Sequence, residues 1–186
     1  MIIKVPIGVS ARHVHLTKET YNKLFDSDLS YRNSLTQPNQ FASNEIVTLK
    51  GNTEEIKKAR VLGPLRSYDQ VEISKSDARI LGLNPPVRRS GDLLGAEEIT
   101  LITPKRSVKV NACIIPNRHL HINEKYAKEL GLKDNDIVKL SINGIKSGVI
   151  DCFVKVSADA TFEVHLDTDD ANAFLINNGD EGTLIL

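Results

Sequence analysis

The amino-acid sequence predicts a mainly β fold with short α-helices, built as two tandem and similar β-barrel domains that the helices cap. Three observations support this fold class. Short strand-like runs, separated by turn-forming residues, follow one another along most of the chain. Helix-like segments are short, and the motif Arg-His-x-His occurs twice, about 106 residues apart. Such a period is too long for a solenoid and indicates an internal duplication.

Alternation of apolar and polar residues marks the predicted strands, because successive side chains of a strand point to opposite faces. DQVEIS, at 69–74, places Val71 and Ile73 on one face and polar residues on the other. NEIVTLKG and ARVLGPLR are predicted to pair around the polar stretch GNTEE. Further strands are predicted for IIKVPIGVS, EEITLITP, SVKVNACIIP, DIVKLSIN, SGVIDCFVKVS, TFEVHLDT and GTLIL.

Capping residues mark the short helices. SKSDARILG carries a capping box from Ser74 to Asp77 and stops at Gly82. The other predicted helices are TKETYNKLF, NEKYAKELG and TDDANAFLINNG. The polar, turn-rich stretch at 32–44 is expected to be an ordered surface loop.

Charge and composition restrict the partners. Lys plus Arg and Asp plus Glu both number 24, so the net charge is zero. Nucleic acid is not expected as a partner, because neutralising phosphates requires clustered basic residues. No apolar run approaches the ~20 residues of a membrane helix, and the N-terminus lacks a secretory layout. Cys113 and Cys152 lie outside any CxxC pattern and are expected to be buried and reduced.

The histidines carry the clearest chemical pattern. Residues i and i+2 of a strand lie on one face, about 7 Å apart. The imidazoles of His13 and His15, and those of His119 and His121, can therefore each converge on one metal ion. Imidazole suits Zn, Cu, Fe or Ni. A repeated pair in a chain with five histidines favours a metal over a merely polar cleft.

A catalytic zinc site usually takes three protein ligands and keeps one position open. His165, in the strand-like run FEVHLD, is a candidate third ligand for one histidine pair. The other pair needs a carboxylate or a Cys, and Glu19, Glu45 and Glu72 are all candidates. Arg66 ends the run RVLGPLR, where a guanidinium could clamp a phosphate through two hydrogen bonds.

Several classes of protein fit this pattern. GVSARHVHLTKE is similar to the cupin pattern, but the segment after His15 is predicted to be a capped helix and a cupin leaves the second pair unexplained. A dinuclear zinc hydrolase is a second possibility, although neither motif contains Asp. A metal-binding module without catalysis is a third, but closed structural sites use four protein ligands.

Longer motifs carry a family resemblance. VPIGVSARHVHL, VLGPLRSYDQVEIS, DARILGLNPPVRRSGDL, ITLITPKRSV, RHLHI and EVHLDTDDANA resemble, in order and spacing, the PduL-type phosphate acyltransferases, or phosphate propanoyltransferases. The resemblance implies reversible transfer of a short acyl group from acyl-CoA to inorganic phosphate, which gives acyl phosphate and CoA. It implies barrel domains at 12–116 and at 1–11 plus 117–186.

The resemblance also implies a set of site residues and a homodimer. It implies a dinuclear site with two Zn²⁺ per chain, the first bound by His13, His15 and Glu72 and the second by His119, His121 and His165. Arg66 matches the phosphate-binding Arg of the family. CoA contacts are implied for Ser10, Ala11, Arg12, Arg60 and Asn172.

One zinc could polarise the thioester carbonyl, and the second zinc and Arg66 could bind and aim the phosphate. No protein nucleophile is then needed, so no acyl-enzyme is expected. Members in microcompartments carry an N-terminal targeting segment. Here the first strand begins close to Met1, so a cytoplasmic enzyme is expected. Propanoyl and acetyl groups differ by one methylene, worth only about 1–3 kcal/mol in a pocket, and either is an expected substrate.

Overall fold

The computed structural model describes residues 2–186. In chain order its elements are β1 (Ile2–Ser10), β2 (His13–His15), α1 (Lys18–Leu24), β3 (Tyr31–Ser34), β4 (Phe41–Lys50), β5 (Glu55–Gly63), β6 (Gln70–Glu72), α2 (Lys75–Leu81), β7 (Val87–Arg88), β8 (Glu97–Ile102), β9 (Ser107–Pro116), β10 (His119–Asn123), α3 (Glu124–Leu130), β11 (Ile137–Ile142), β12 (Gly148–Ser157), β13 (Glu163–Asp167), α4 (Thr168–Phe174) and β14 (Glu181–Ile185). The chain divides into a middle unit, Ala11–Pro116, and a terminal unit, formed by residues up to Ser10 together with Asn117–Leu186.

The terminal unit is a closed barrel with the strand order β1, β13, β10, β12, β11, β14. Antiparallel pairing of β14 with β1 closes it. Its interior is filled by aliphatic side chains with little or no exposure: Val5, Ile7, Leu120, Ile122, Val138, Leu140, Ile142, Val154, Val164, Leu166 and Leu184. Burial of this surface is the main stabilising contribution to such a small barrel.

The middle unit contains a second barrel. Its sheet runs β4, β5, β2, β6, β9, and β8 closes the ring because it pairs with both β9 and β4. Two short strands are added outside the ring, β3 on β4 and β7 on β9. The core again consists of apolar residues on or directly beside strands and helices: Val14, Leu16, Leu49, Val61, Val71, Ile73, Leu81, Ile99 and Leu101 are at most 1% exposed.

The two barrels have the same strand arrangement. β2 and β10 each pair in parallel with one strand, β5 or β12, and antiparallel with another, β6 or β13. The next strand in the ring is parallel again, β9 in the middle unit and β1 in the terminal unit. A short helix follows β2, β6, β10 and β13. The predicted fold class, mainly β with two similar barrels from an internal duplication, is confirmed.

Local side-chain hydrogen bonds define where the helices begin. Side-chain oxygens of the N-cap residues accept hydrogen bonds from backbone N–H groups of the first turn; the caps are Thr17, Ser74, Asn123 and Asp167. The predicted capping box between Ser74 and Asp77 is present. Gly82 and Gly131 end their helices with φ of 67° and 70°, a left-handed conformation that glycine adopts without steric cost.

The stretch at 32–44 corrects one prediction. It is a hairpin of β3 and the start of β4, with Ser34 opposite Phe41, and not a loop. All residues of β3 are exposed, so the strand lacks the apolar alternation that would have identified it. The aromatic rings of Tyr31 and Phe41 contact each other in this hairpin, with centroids 5.6 Å apart.

Within residues 2–186, every helix is too short or too polar to cross a bilayer.

The residue between the paired histidines is predicted to stabilise the barrel. Leu120 is 0% exposed, so Leu120→Ala should lower the free energy of unfolding by about 2–5 kcal/mol, as cavity-forming substitutions do. The matched control is Ile145→Ala, since Ile145 is 96% exposed; its effect should stay within about 0.5 kcal/mol. Denaturant unfolding measures both, and equal losses would contradict the assignment of Leu120 to the core.

Candidate metal centres

The middle cluster is formed by β2 and β6. In their antiparallel register His13 lies opposite Glu72 and His15 lies opposite Gln70. Ligand atoms of His13, His15 and Glu72 all lie within 4.8 Å of one another. The imidazole rings of the two histidines meet edge to face, with centroids 5.0 Å apart. This is the convergence that the i, i+2 spacing predicts for a strand.

The orientation of His13 suits a cation. Its Nδ1–H donates to the carbonyl of Ala11 at 2.9 Å, and its Nε2 lies 3.4 Å from Oε2 of Glu72. Burial and the positive charge of Arg66 lower the pKa of the His13 imidazole. The charge and hydrogen bond of Glu72, together with the hydrogen bond to the Ala11 carbonyl, outweigh them and raise the pKa above its usual value. Two electron-pair donors that face each other require a proton or a metal cation between them.

The terminal cluster is formed in the same way by β10 and β13. His119 lies opposite His165, and ligand atoms of His119, His121 and His165 lie within 4.8 Å of one another. The Nδ1–H of His119 donates to the carbonyl of Asn117 at 2.8 Å, which leaves Nε2 to face Nε2 of His121 at 3.0 Å. Zinc bonds of 2.0–2.1 Å in a tetrahedron place neighbouring nitrogens about 3.3 Å apart, so this donor set fits zinc.

The structure distinguishes the three carboxylates that the sequence left open. Glu72 lies in the middle cluster and is 7% exposed. Glu19 is on the surface of α1, where it pairs with Lys23 at 2.7 Å. Glu45 accepts hydrogen bonds from the backbone and hydroxyl of Ser30. Of these three, only Glu72 is placed to bind an ion with the histidines.

Arg66 is connected to the middle cluster. Its Nη1 donates to the hydroxyls of Tyr68, at 3.2 Å, and of Ser90, at 3.3 Å. Nε2 of Gln70 donates to the same Ser90 oxygen at 3.2 Å and also to Oε1 of Glu72. A continuous series of hydrogen bonds therefore links the guanidinium to a candidate metal ligand.

Sequence reasoning missed three polar residues beside these clusters, of which Gln70 and Glu163 are buried and Ser90 is partly buried. Gln70 is 0% exposed, and its Oε1 accepts a hydrogen bond from the backbone of Gly91 at 2.7 Å. Ser90 bridges Gln70 to the candidate phosphate site. Glu163 is 6% exposed and lies beside His165. The available signal for Gln70 and Glu163 was their position two residues before a candidate ligand, on the same strand face.

Arg12, a candidate CoA residue, is held by two hydrogen bonds. Its Nε and Nη2 donate to Asp77 at 3.0 and 2.7 Å. The equivalent pair in the terminal unit is Arg118 with Asp170, also at 2.7 Å. In both units the Asp lies in the first turn of the helix that follows the second ligand strand. The pairs anchor the segments that lead into β2 and β10.

The remaining candidate CoA residues are dispersed among several elements. Arg60 lies on β5 opposite His13, and its Nη1 donates to the carbonyl of Ser43 at 2.6 Å. Ala11 is exposed just before β2, and Ser10 is the last residue of β1. Asn172 is exposed on α4.

The cysteines do not provide a nucleophile. Cys113 and Cys152 are both 0% exposed. Burial raises the pKa of each thiol to about 12, so neither forms a thiolate near neutral pH. The expectation that both are buried, uncrosslinked hydrophobic residues is confirmed.

Removing one histidine from a cluster should remove one bound ion. We expect His13→Ala and His119→Ala each to lose a metal ion that the wild type retains through dialysis, because two remaining donors bind zinc weakly. Metal content per chain, measured by emission spectrometry, provides the test. Glu129→Gln, an exposed substitution on α3, is the control and should retain the wild-type content. Unchanged content in both His variants would contradict the assignment of the clusters.

Comparisons with known proteins agree in the family that they indicate. A sequence profile described as phosphate propanoyltransferase matches residues 6–177. The phosphate propanoyltransferase of Thermotoga maritima is 45% identical over 94% of this chain and 85% of the relative. Those of Priestia megaterium and Salmonella typhimurium are 44% and 41% identical, over 98% and 91% of this chain and 86% and 82% of theirs. The chain therefore belongs to the phosphate propanoyltransferase family and is an acyltransferase enzyme.

Proposed function

We propose that this protein is a phosphate acyltransferase that reversibly transfers a propanoyl or acetyl group from acyl-CoA to inorganic phosphate at a dinuclear zinc site. The products are acyl phosphate and CoA. The observation that carries the proposal is the hydrogen-bonded series from Arg66 through Ser90 and Gln70 to Glu72. It joins a side chain suited to bind phosphate to a cluster suited to bind a metal that would activate the thioester carbonyl.

The donor sets support zinc in both clusters. His13, His15 and Glu72 form the first set, and the three histidines of the terminal unit form the second. Each set offers three protein donors, which is typical of catalytic zinc sites, since structural sites use four. When bound, zinc would supply a Lewis acid for the thioester carbonyl and an affinity for the departing thiolate.

Arg66 binds and orients the phosphate. Arg66 is half-buried, and its guanidinium is held by Tyr68 and Ser90. The side chain therefore loses little conformational freedom when phosphate binds. One phosphate oxygen attacks the thioester carbon, an O–C bond forms, the C–S bond breaks, and the thiolate of CoA leaves. Both protein thiols are buried, so neither cysteine accepts the acyl group. In this proposal phosphate attacks directly, without an acyl-enzyme, and the chain contributes positioning and charge.

The proposal also assigns roles to residues outside the two metal clusters. Ser10, Ala11, Arg12, Arg60 and Asn172 contact CoA. The middle and terminal units are the two domains, and the active enzyme is a cytoplasmic homodimer. These assignments rest on the resemblance of the motifs that contain the residues.

The decisive experiment measures release of CoA thiol from propanoyl-CoA and acetyl-CoA, with and without inorganic phosphate. A thiol reagent should report only CoA, because both protein thiols are 0% exposed. Release that depends on phosphate, with formation of acyl phosphate, is the expected result. Release at the same rate without phosphate would identify a thioesterase and overturn the proposal, as would no release from either substrate.

A substitution tests the role of Arg66. Loss of a charged hydrogen-bond donor costs about 1.5–3 kcal/mol, so Arg66→Ala should lower kcat/KM for phosphate by about 10- to 100-fold. Metal content should be unchanged. Arg32→Ala is the matched control, since Arg32 is exposed in the same unit. Wild-type dependence on phosphate in Arg66→Ala would show that another residue binds the anion.

A further inference from the structure

A buried carboxylate lies beside the three histidines of the terminal cluster. Oε2 of Glu163 is 2.6 Å from Nε2 of His165, and Glu163 is 6% exposed. Among the described residues, the three-ligand group at this place comprises the histidines alone. Glu163 therefore stands next to the ligand set and contacts it through His165.

The backbone holds this contact in place. Gly8 of β1 lies opposite His165 in the parallel register of β1 and β13. A Cβ at Gly8 would lie 3.0 Å from Cδ2 of His165 and 3.1 Å from the carboxyl carbon of Glu163. These separations are too short for a relaxed contact, so the absence of a side chain at Gly8 makes room for both groups. Glycine is the residue that permits such close approach.

The duplication gives this carboxylate a counterpart. Glu163 lies opposite His121, the position that Gln70 occupies opposite His15 in the middle unit. In the middle unit the carboxylate is Glu72, two residues after Gln70 on the same strand, and the terminal unit has His165 at that position. The strands β6 and β13 thus each place one glutamate beside a histidine pair, but at different positions along the strand.

We infer that Glu163 is a positioning residue of the terminal metal centre: it orients His165 and supplies the negative charge that the three neutral histidines lack. The inference rests on the proposed function only in taking the terminal cluster to bind zinc. Because Glu163 contacts Nε2 of His165, an ion in this cluster would be bound by Nδ1 of that ring. A carboxylate on the nitrogen that does not bind the metal fixes the ring and increases its basicity, and loss of such a partner typically costs 10- to 100-fold in metal affinity. A buried carboxylate is itself unfavourable unless a cation or hydrogen bonds compensate it, and zinc provides that compensation.

Zinc affinity provides the test, without any need for catalysis. Metal-free wild type, Glu163→Gln and Glu129→Gln are titrated with zinc against a chromogenic chelator. Glutamine retains the size and hydrogen-bonding capacity of Glu163 but removes its charge, so a merely structural role predicts no change. We expect Glu163→Gln to bind one ion about 10- to 100-fold more weakly and the other as the wild type does. Glu129→Gln should match the wild type.

The same substitution made in the His119→Ala variant identifies which metal centre Glu163 affects. In His119→Ala, whose remaining ion is bound in the middle unit, adding Glu163→Gln should change nothing further. Weakening of that remaining ion, or wild-type affinity for both ions in Glu163→Gln alone, would overturn the inference. If metal-free Glu163→Gln has a lowered Tm, Glu163→Asp provides the decisive comparison, because aspartate retains the charge. A zinc affinity of Glu163→Asp closer to the wild type than that of Glu163→Gln supports the inference. A loss of zinc affinity equal to that of Glu163→Gln overturns it. A wild-type chain that binds no zinc would instead refute the proposed function.

Discussion

The register between each histidine strand and its antiparallel neighbour is the constraint on which the rest of the structure depends. Because side chains alternate, one pairing of β2 with β6 places His13 opposite Glu72 on one face and Val14 opposite Val71 on the other. Both valines are 0% exposed. A slip by one residue would move the apolar pair out of the core and the ligands into it. Burial of the core therefore also determines the ligand geometry.

The two barrels share one backbone arrangement around their histidine pairs, although the candidate metal ligands of the two clusters differ. The backbone carbonyl two residues before the first histidine accepts a hydrogen bond from its Nδ1–H in both units, at 2.9 Å from His13 and 2.8 Å from His119. The arginine between that carbonyl and the histidine pairs with an Asp in the first turn of a helix in both units. What differs is the neighbouring strand, with Glu72 in one unit and His165 in the other, so the frame is shared and the donor set is not.

Features that depend on local spacing could be predicted from the sequence, whereas long-range contacts could not. The i, i+2 histidines and the capping box at Ser74 follow from short-range rules, and the structure contains both arrangements. The selection of Glu72 over Glu19 and Glu45 depends on pairing between β2 and β6, which are separated by more than fifty residues. No periodicity encodes that pairing, and β6 is only three residues long. Only the family resemblance singled out Glu72 in advance.

Arg66 illustrates how the middle cluster can serve both a cation and an anion. Its charge opposes a cation at His13, and direct contact with the ligands would therefore weaken metal binding. Ser90 and Gln70 lie between Arg66 and Glu72, so the guanidinium is held by neutral groups and not by the ligand carboxylate. An Arg paired directly with Glu72 would neutralise the charge that the metal needs and would lose its own capacity to bind phosphate. The intervening amide and hydroxyl thus keep both charges available for the proposed roles, Glu72 as a zinc ligand and Arg66 as the phosphate-binding group.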